Sequence, residues 1–363
     1  MLKVGIVGLP NVGKSTLFNA LTNAKNAQSA NYPFCTIEPN VGVVNVPDER
    51  LYTLQKLVNT QTVIPTAIEC VDIAGLVKGA SKGEGLGNQF LHNIREVDAI
   101  VQVVRCFDDV NTIHVSGKVD PVDDIETINM ELALADMATL ENISKRIAKQ
   151  VKSGDKEAKI QDSVIQKCMP YLEKGHFIDS SDFNEDEKKA LHFCHLLMSK
   201  PVIYCCNVSE TDLLNGNKYT QQVKDYVGSN AQVVLICANL EEELVDLGEA
   251  EAKNYLKELG IENSGIERMI KSAYDILNLR TYITAGEKEV RAWTITKGMK
   301  APQAAGVIHT DFEKGFIKAE VVGYDDFISS GSWAQAREKG LARLEGKDYI
   351  VQDGDIMLFR FNN

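Results

Sequence analysis

A glycine-rich loop between an apolar run and a helical segment constrains the fold of this chain more than any other feature. Residues 8–15 read Gly-Leu-Pro-Asn-Val-Gly-Lys-Ser and fit the pattern G-x-x-x-x-G-K-[ST]. The run Leu2–Val7 before the loop is typical of a buried strand, and Lys14–Thr22 after it is typical of a helix. Similar Val- and Ile-rich runs recur at Ala67–Ile73 and Ala99–Val104, with helical segments between them. The sequence therefore predicts an α/β fold with a doubly wound, mostly parallel sheet.

The loop predicts a phosphate-binding site. Its glycines allow the backbone to curl so that several N–H groups converge on phosphate, and the helix that follows presents its positive end to the same place. We expect Lys14 to contact the β and γ phosphates, Ser15 to offer a hydroxyl to Mg²⁺, and Thr16 to bond near the α phosphate. The predicted nucleotide-contacting residues of the loop are Asn11, Val12, Gly13, Lys14, Ser15 and Thr16.

Two further segments fall in the order that a nucleotide-dependent switch protein requires. Asp72 ends the run Ala67–Ile73 and begins Asp-Ile-Ala-Gly. Its carboxylate is predicted to hold Mg²⁺ through a water, while the Gly75 amide reaches the γ phosphate. Thr36 lies between the phosphate loop and Asp72, and it is predicted to supply a second hydroxyl to Mg²⁺ when a triphosphate is bound.

The segment that follows the strand run Val202–Cys206 bears on the choice of purine. Guanine-specific proteins of this class carry N-K-x-D there, whereas this chain has Asn207-Val208-Ser209-Glu210. Glu210 is one methylene longer than Asp, so its carboxylate cannot accept the two guanine hydrogens from the same position, and Val208 replaces the lysine that covers the base. Adenine lacks both hydrogens, so this loss does not weaken its binding. We predict that Asn207, Val208 and Glu210 lie at the nucleotide and that ATP binds at least as well as GTP.

Composition limits the compartment and the partners. The 363 residues carry a net charge of −12, and the part before Arg280 holds that whole excess, which argues against nonspecific nucleic-acid binding. No apolar run approaches the ~20 residues needed to cross a bilayer. The eight cysteines include no C-x-x-C pair and are typical of reduced thiols. We therefore expect a cytoplasmic protein with no membrane partner.

Helical periodicity replaces the strand signal over residues 120–198. Apolar residues recur mostly at threes and fours from Ile128 to Val151, residues 152–155 interrupt the pattern, and a second one runs from Ile160 to Tyr171. This predicts a two-helix antiparallel hairpin inserted into the first domain. A packed helical pair and a projecting arm that touches a partner explain the pattern equally well.

After Asn278 the strand runs return and predict a small mixed-sheet domain. One of them is read as Tyr349–Phe361, and Asp353-Gly354 within it predicts a hairpin turn. The predicted boundaries are residues 1–118 and 200–277 for the first domain, 119–199 for the helical insertion, and 278–363 for the C-terminal domain.

The whole chain resembles the YchF-type ribosome-binding ATPases, within the Obg family of P-loop (TRAFAC) GTPases. The resemblance is carried by specific segments, namely residues 11–16, 31–40, 72–77, 207–210, 301–306 and 309–312. It implies a P-loop NTPase domain of the Obg type, interrupted by a coiled-coil arm and followed by a TGS domain, which is a ubiquitin-like β-grasp module.

The same resemblance implies a function. It implies a magnesium-dependent hydrolase that prefers ATP to GTP, binds the ribosome chiefly at the large subunit, and modulates translation or the stress response. RNA contacts through the helical arm and the TGS domain, and a monomeric state, are also implied.

The sequence lacks the glutamine that orients water in Ras-like enzymes. Ras-like enzymes place a Gln directly after D-x-x-G to orient water, but this chain has Leu76 there. The resemblance suggests His114 as the substitute, because a neutral His can orient or deprotonate water. The predicted catalytic residues are therefore His114, Lys14 and Gly75, whereas Arg105 at a strand end is expected to be structural.

Two other classes of function remain open. A small-molecule kinase would need a lid and an acceptor pocket, and no lid arginines cluster in the sequence. A GTP-binding, nucleic-acid-associated switch protein with incidental hydrolysis is the stronger alternative. Basic and aromatic residues mixed in the C-terminal domain fit either partner binding or ordinary surface lysines around a small core: Lys297, Lys300, Lys314, Lys318, Trp293, Phe312 and Phe316.

Overall fold

The computed structural model describes residues 2–26, 40–73, 86–108 and 118–362 of the chain. The strands are β1 (Leu2–Val7), β2 (Val41–Asn45), β3 (Val63–Ile64), β4 (Ala67–Asp72), β5 (Ala99–Arg105), β6 (Val202–Asn207), β7 (Gln232–Ile236), β8 (Leu279–Ala285), β9 (Val290–Thr296), β10 (Phe316–Val322), β11 (Arg343–Glu345) and β12 (Ile356–Phe361). The helices are α1 (Lys14–Asn26), α2 (Glu49–Val58), α3 (Leu86–Arg95), α4 (Pro121–Ser153), α5 (Lys156–Leu172), α6 (Glu185–Phe193), α7 (Lys218–Val227), α8 (Ala238–Leu247), α9 (Glu249–Glu258), α10 (Gly265–Ile276), α11 (Ala301–Ile308), α12 (Thr310–Lys314), α13 (Tyr324–Ser330) and α14 (Trp333–Glu338). None of the helices in these ranges is long and apolar enough to span a membrane.

The first of two compact units contains a six-stranded sheet in the order β2-β4-β1-β5-β6-β7. The pairs β1/β5, β5/β6 and β6/β7 are parallel. All seven residues of β5 are buried, as expected for a central strand covered on both faces. The predicted α/β fold with a mostly parallel sheet is confirmed.

The helical hairpin of the first unit consists of α4 and α5, which pack against each other. Asp120 caps the start of α4, and Gly154 ends it with a φ of 90°, a left-handed conformation that suits glycine. Asp155 then caps α5, since its carboxylate accepts from the Ala158 amide at 2.8 Å. The two predicted helices are therefore present, and the structure adds α6, which packs on α5.

A buried carboxylate fixes the chain that returns from the hairpin to the sheet. Asp136 on α4 is fully buried, and its oxygens accept from the backbone amides of Leu197 and Met198 at 2.9 and 2.8 Å. Burial raises the pKa of Asp136 to about 6.

The second unit contains a mixed sheet in the order β11-β10-β12-β8-β9-β3. Because successive strand residues face opposite sides, the neighbours Tyr282 and Ile283 lie in two different cores. Ile283 packs with residues of α2, α13 and α14, and Tyr282 packs with residues of α11.

One segment of the second unit comes from the N-terminal part of the chain. Residues 44–68 belong to this unit, together with residues 270–362. Within them, β3 pairs in parallel with β9, and Leu51 and Leu54 of α2 lie in the core beside β8. The predicted first domain, with its segment 1–118, includes these residues.

The predicted hairpin at Asp353-Gly354 is wrong. β12 begins only at Ile356 and pairs antiparallel with β10 and parallel with β8. Gly354 does turn the chain, with a φ of 82°. However, Asp353 bonds to other segments instead of a hairpin partner, because its carboxylate accepts from the Thr281 amide and from Arg50, both at 2.8 Å.

Candidate nucleotide site

The phosphate loop lies between β1 and α1, as the sequence predicts. Asn11 and Gly13 have φ values of 66° and 92°, so the loop contains two left-handed residues. The helix begins at once, since the Leu17 amide donates to the Gly13 carbonyl at 3.0 Å. An array of this kind, curled backbone followed by a helix start, is a site for an anion.

The Asn207 side chain braces this loop from the end of β6. Its Nδ2 donates to the Val12 carbonyl at 2.9 Å, and its Oδ1 accepts from the Ala238 amide at 3.0 Å. The amide group is buried and touches Gly13 so closely that a Cβ at that glycine would lie 2.1 Å from Nδ2. Asn207 therefore joins the phosphate loop to the start of α8.

Lys14 and Asp72 form an ion pair beside the loop, between Nζ and Oδ1. Both side chains are largely buried, and the Asp72 backbone is fixed because its amide donates to the Asn40 carbonyl at 2.8 Å. Ser15 is exposed at the first turn of α1. The structure thus places two predicted site residues, Lys14 and Asp72, in direct contact, and Ser15 follows Lys14 in the first turn of α1.

The oxygen groups fit a hard divalent cation. Mg²⁺ is commonly held by one or two protein oxygens plus substrate phosphates and waters, and not by an all-protein cage. Within the described ranges no group of three or more His, Cys, Asp or Glu side chains could hold a metal. Ser15 and Asp72 offer oxygen groups of the kind that Mg²⁺ uses when it binds together with a nucleotide.

The side chains of the purine segment lie in different surroundings. The Val208 side chain is buried in a core that also contains Leu213 and Leu256. Glu210 is exposed, and its carboxylate accepts from the Tyr255 hydroxyl at 3.3 Å. The negative charge of Glu210 raises the pKa of Tyr255.

A polar network that sequence reasoning missed connects this segment to the end of β5. Asp212 accepts from Ser209 Oγ and from Asn217 Nδ2, both at 2.8 Å. Asn217 Nδ2 also donates to the Cys106 carbonyl at 2.7 Å. The sequence contains one signal of this network. Asn217 stands directly before the helical run Lys218–Val227, and Asn is a preferred N-cap residue.

Three predicted site residues, Thr36, Gly75 and His114, lie outside the described residues.

Arg105 has the structural position expected for it, because it is buried at the end of β5. Its guanidinium lies 4.7 Å from the centre of the Phe107 ring, and its Nε donates to the Phe107 carbonyl at 3.2 Å.

The aromatic residues of the predicted C-terminal patch belong to the core of the second unit. Phe316 is buried, and Trp293 and Phe312 pack against the same cluster. Phe312 also stacks on Phe361 with ring centroids 3.7 Å apart. The ordinary explanation, surface lysines around a small core, therefore accounts for these aromatics.

Comparisons with known proteins identify the family. A family model described as 50S ribosome-binding GTPase matches residues 3–142, and the YchF GTPase C-terminal model, described as a protein of unknown function, matches residues 279–362. The Ribosome-binding ATPase YchF of Bacillus subtilis is 55% identical over 364 residues, which cover 99% of both chains. The chain belongs to the YchF family. It is therefore a member of a family of P-loop nucleoside triphosphatases, as the resemblance implied.

Other YchF proteins agree along the full length. The Escherichia coli O157:H7 Ribosome-binding ATPase YchF is 55% identical over 99% of both chains. The solved structure of the Schizosaccharomyces pombe YchF GTPase superposes with a TM-score of 0.87 at 41% identity, covering 99% of this chain and 97% of that chain. A GTP binding protein from Pyrococcus horikoshii, at 21% identity and a TM-score of 0.63, shares the fold.

Proposed function

We propose that this YchF protein hydrolyses ATP in preference to GTP, depends on Mg²⁺, and binds the ribosome in a nucleotide-dependent manner, chiefly at the large subunit. The observation that carries the proposal is the braced phosphate loop with the Lys14–Asp72 pair beside it. The curated YchF relatives, named ribosome-binding ATPases, support the activity and the partner. RNA contacts through the helical arm and the TGS domain, a monomeric state, a cytoplasmic location and a role in translation or the stress response form part of the same proposal.

In the proposed reaction, water attacks the γ phosphorus, the bond to the bridging oxygen of ADP breaks, and ADP and inorganic phosphate leave. Lys14 stabilises the negative charge on the β and γ phosphates. Ser15, Asp72 and Thr36 would hold Mg²⁺, which when bound would neutralise phosphate charge. The Gly75 amide contacts the γ phosphate, and His114 orients or deprotonates the attacking water.

The preference for ATP is supported by the purine segment. The carboxylate of Glu210 already accepts from Tyr255, and Val208 lies in the core. Neither side chain then supplies the contacts through which a guanine-specific site binds the N1 and N2 hydrogens of guanine. Loss of such a paired contact sharply lowers the discrimination of guanine from adenine. We therefore expect ATP to bind at least as tightly as GTP.

The decisive experiment is a calorimetric titration of each purine triphosphate with magnesium, followed by hydrolysis assays. ATP affinity equal to or better than GTP affinity supports the proposal. No binding of either nucleotide refutes the site, and a hundredfold preference for GTP refutes the base argument and favours the GTP-switch alternative. Free phosphate as the product excludes transfer to a small-molecule acceptor.

Ribosome binding is tested separately by co-sedimentation with isolated subunits, with and without a nonhydrolysable ATP analogue. Binding that depends on the nucleotide supports the switch. Binding that is equal in both conditions contradicts the switch, even if the protein is an ATPase.

A further inference from the structure

Positive charge is concentrated at the end of the helical hairpin, in a chain whose net charge is −12. Residues 144–161 contain six basic and two acidic side chains. One of the two acids, Asp155, is used to cap α5. The basic residues are all exposed, and we call them the basic tip: Lys145, Arg146, Lys149, Lys152, Lys156 and Lys159.

Three of the six charges of the basic tip lie on one side of α4. Lys145, Lys149 and Lys152 are four and three residues apart, so they share one face of the helix, while Ile147 on the opposite side is buried. Lys145 lies 3.6 Å from Glu141. Over the residues that the structure describes, the other five basic side chains have no carboxylate within 4.0 Å. Like charges on one helix face repel one another, and a polyanion beside them offsets that repulsion.

A groove next to the basic tip offers contacts of a different chemistry. It lies between α4, α5 and α6, has a volume of about 370 Å³, and is lined by Arg146, Gln150, Gln161 and Phe193, among others. Phe193 is 73% exposed, more than any other large hydrophobic side chain in the described ranges. Amide and guanidinium groups bond to base edges, and an open aromatic ring stacks on bases.

We propose that the basic tip and this groove bind single-stranded or looped RNA, with the lysines on phosphates and a base against Phe193. An acidic protein segment would use the lysines but leave the amides and the ring without the partners they suit. The inference rests on the proposed ribosome binding and RNA contact through the helical arm, and it names the residues of the arm that bind the RNA.

The test compares two double variants of the full-length protein. Lys149→Gln with Lys152→Gln removes two charges from the tip. Lys188→Gln with Lys189→Gln is the matched control, because it removes two lysines from α6 in the same arm, where they pair with Glu185 and Asp186. Binding to a short single-stranded RNA is measured by fluorescence anisotropy over a salt series. We expect the tip variant to lower the slope of log affinity against log salt by about 1.4, at about 0.7 per phosphate contact, while the control keeps the wild-type slope.

Phe193 gives an independent variant that removes no charge. Phe193→Ala should weaken RNA binding by about fivefold or more, and Phe193→Trp should restore it, because stacking on a base needs an aromatic face. The side chain is mostly exposed, so thermal unfolding of both variants should match the wild type.

The same proteins are then sedimented with isolated large subunits. Loss of co-sedimentation in the tip variant, with ATP hydrolysis unchanged, supports the proposal. Equal affinities for all variants overturn it, and so does binding to an acidic peptide but not to RNA. If the wild type itself does not co-sediment, the proposed ribosome binding fails, and the oligonucleotide series still decides whether the tip binds RNA.

Discussion

The contact between Gly13 and Asn207 predicts that two substitutions in the phosphate site are strongly non-additive. In Gly13→Ala the new Cβ would lie 2.1 Å from Asn207 Nδ2, and the residue would also keep a φ of 92°. The Asn207 amide must then move away and lose its hydrogen bonds to Val12 and Ala238. Gly13→Ala thus removes the same brace that Asn207→Ala removes.

The magnitudes follow from these contacts. Asn207→Ala deletes two hydrogen bonds and leaves a buried carbonyl and a buried amide without this partner, a cost of about 2–4 kcal/mol. Gly13→Ala adds about 1–2 kcal/mol of left-handed strain to the same loss, about 3–6 kcal/mol in all. In the double variant the nearest remaining contact is Ala238 Cβ at 3.6 Å, which is ordinary. The double variant should therefore cost about as much as Gly13→Ala alone, a coupling of about 2–4 kcal/mol.

The assay must report on the first unit. Both tryptophans, Trp293 and Trp333, lie in the second unit, so intrinsic fluorescence does not follow the phosphate site. Hydrogen exchange of peptides from α1 and α8 follows the phosphate site, because opening of the site exposes their backbone amides. ATP affinity measured by calorimetry provides a second readout.

A control variant separates backbone strain from the clash. Gly154 has a φ of 90°, and a Cβ there would meet only Lys159 Nζ at 3.9 Å. Gly154→Ala should therefore be additive with Asn207→Ala. Additivity of Gly13→Ala with Asn207→Ala would refute the reasoning, because it would mean that Asn207 keeps its hydrogen bonds to Val12 and Ala238 beside the new Cβ.

Three further predictions concern charged groups. Lys14→Ala should abolish detectable ATP binding in calorimetry, because it removes the phosphate cation and leaves Asp72 without this partner. Asp136 has a pKa of about 6, above its unfolded value. Its contribution of about 3 kcal/mol to the free energy of unfolding is therefore present below pH 4 and lost as the pH rises through 6. Urea unfolding followed by circular dichroism should show this pH dependence, and Asp136→Asn should remove it. The Arg337 guanidinium lowers the pKa of Glu320, so this pair stabilises the second unit above the unfolded pKa of Glu320 and loses its effect as the pH falls through the folded value. Arg337→Ala should therefore lower the stability of the second unit at neutral pH and have a smaller effect in acid, as followed by tryptophan fluorescence.

The features that were predictable from the sequence depend on short-range patterns. The phosphate loop needs glycine at Gly13 because of a positive φ, and the helix follows directly, so eight consecutive residues specify both conformation and chemistry. The helices α4 and α5 were predictable for a similar reason, since apolar spacing and the turn at Gly154 are local.

The rest depends on contacts between distant residues. Nothing near Val63 indicates that β3 pairs with Val290, more than two hundred residues later. The same holds for Asp353, whose pairing with Arg50 replaced the hairpin that a local turn signal predicted. A pattern can locate a turn or a short strand, but the partner is decided by the packing of the whole unit.

The purine segment shows where reasoning from residue types ends. The absence of Lys and Asp from the positions that read guanine is a fact of the sequence, and it stands whatever the fold does. The contacts that Val208 and Glu210 make in their place depend on tertiary packing. Val208 packs in a core formed with α8 and α9, and the Glu210 carboxylate accepts a hydrogen bond from a hydroxyl of α9. If Glu210→Asp does not raise GTP affinity, the reason lies in the missing lysine and in this packing, and not in the length of one carboxylate side chain. Purine choice here is thus a property of the segment together with its supporting helices, and a single substitution is not expected to convert it.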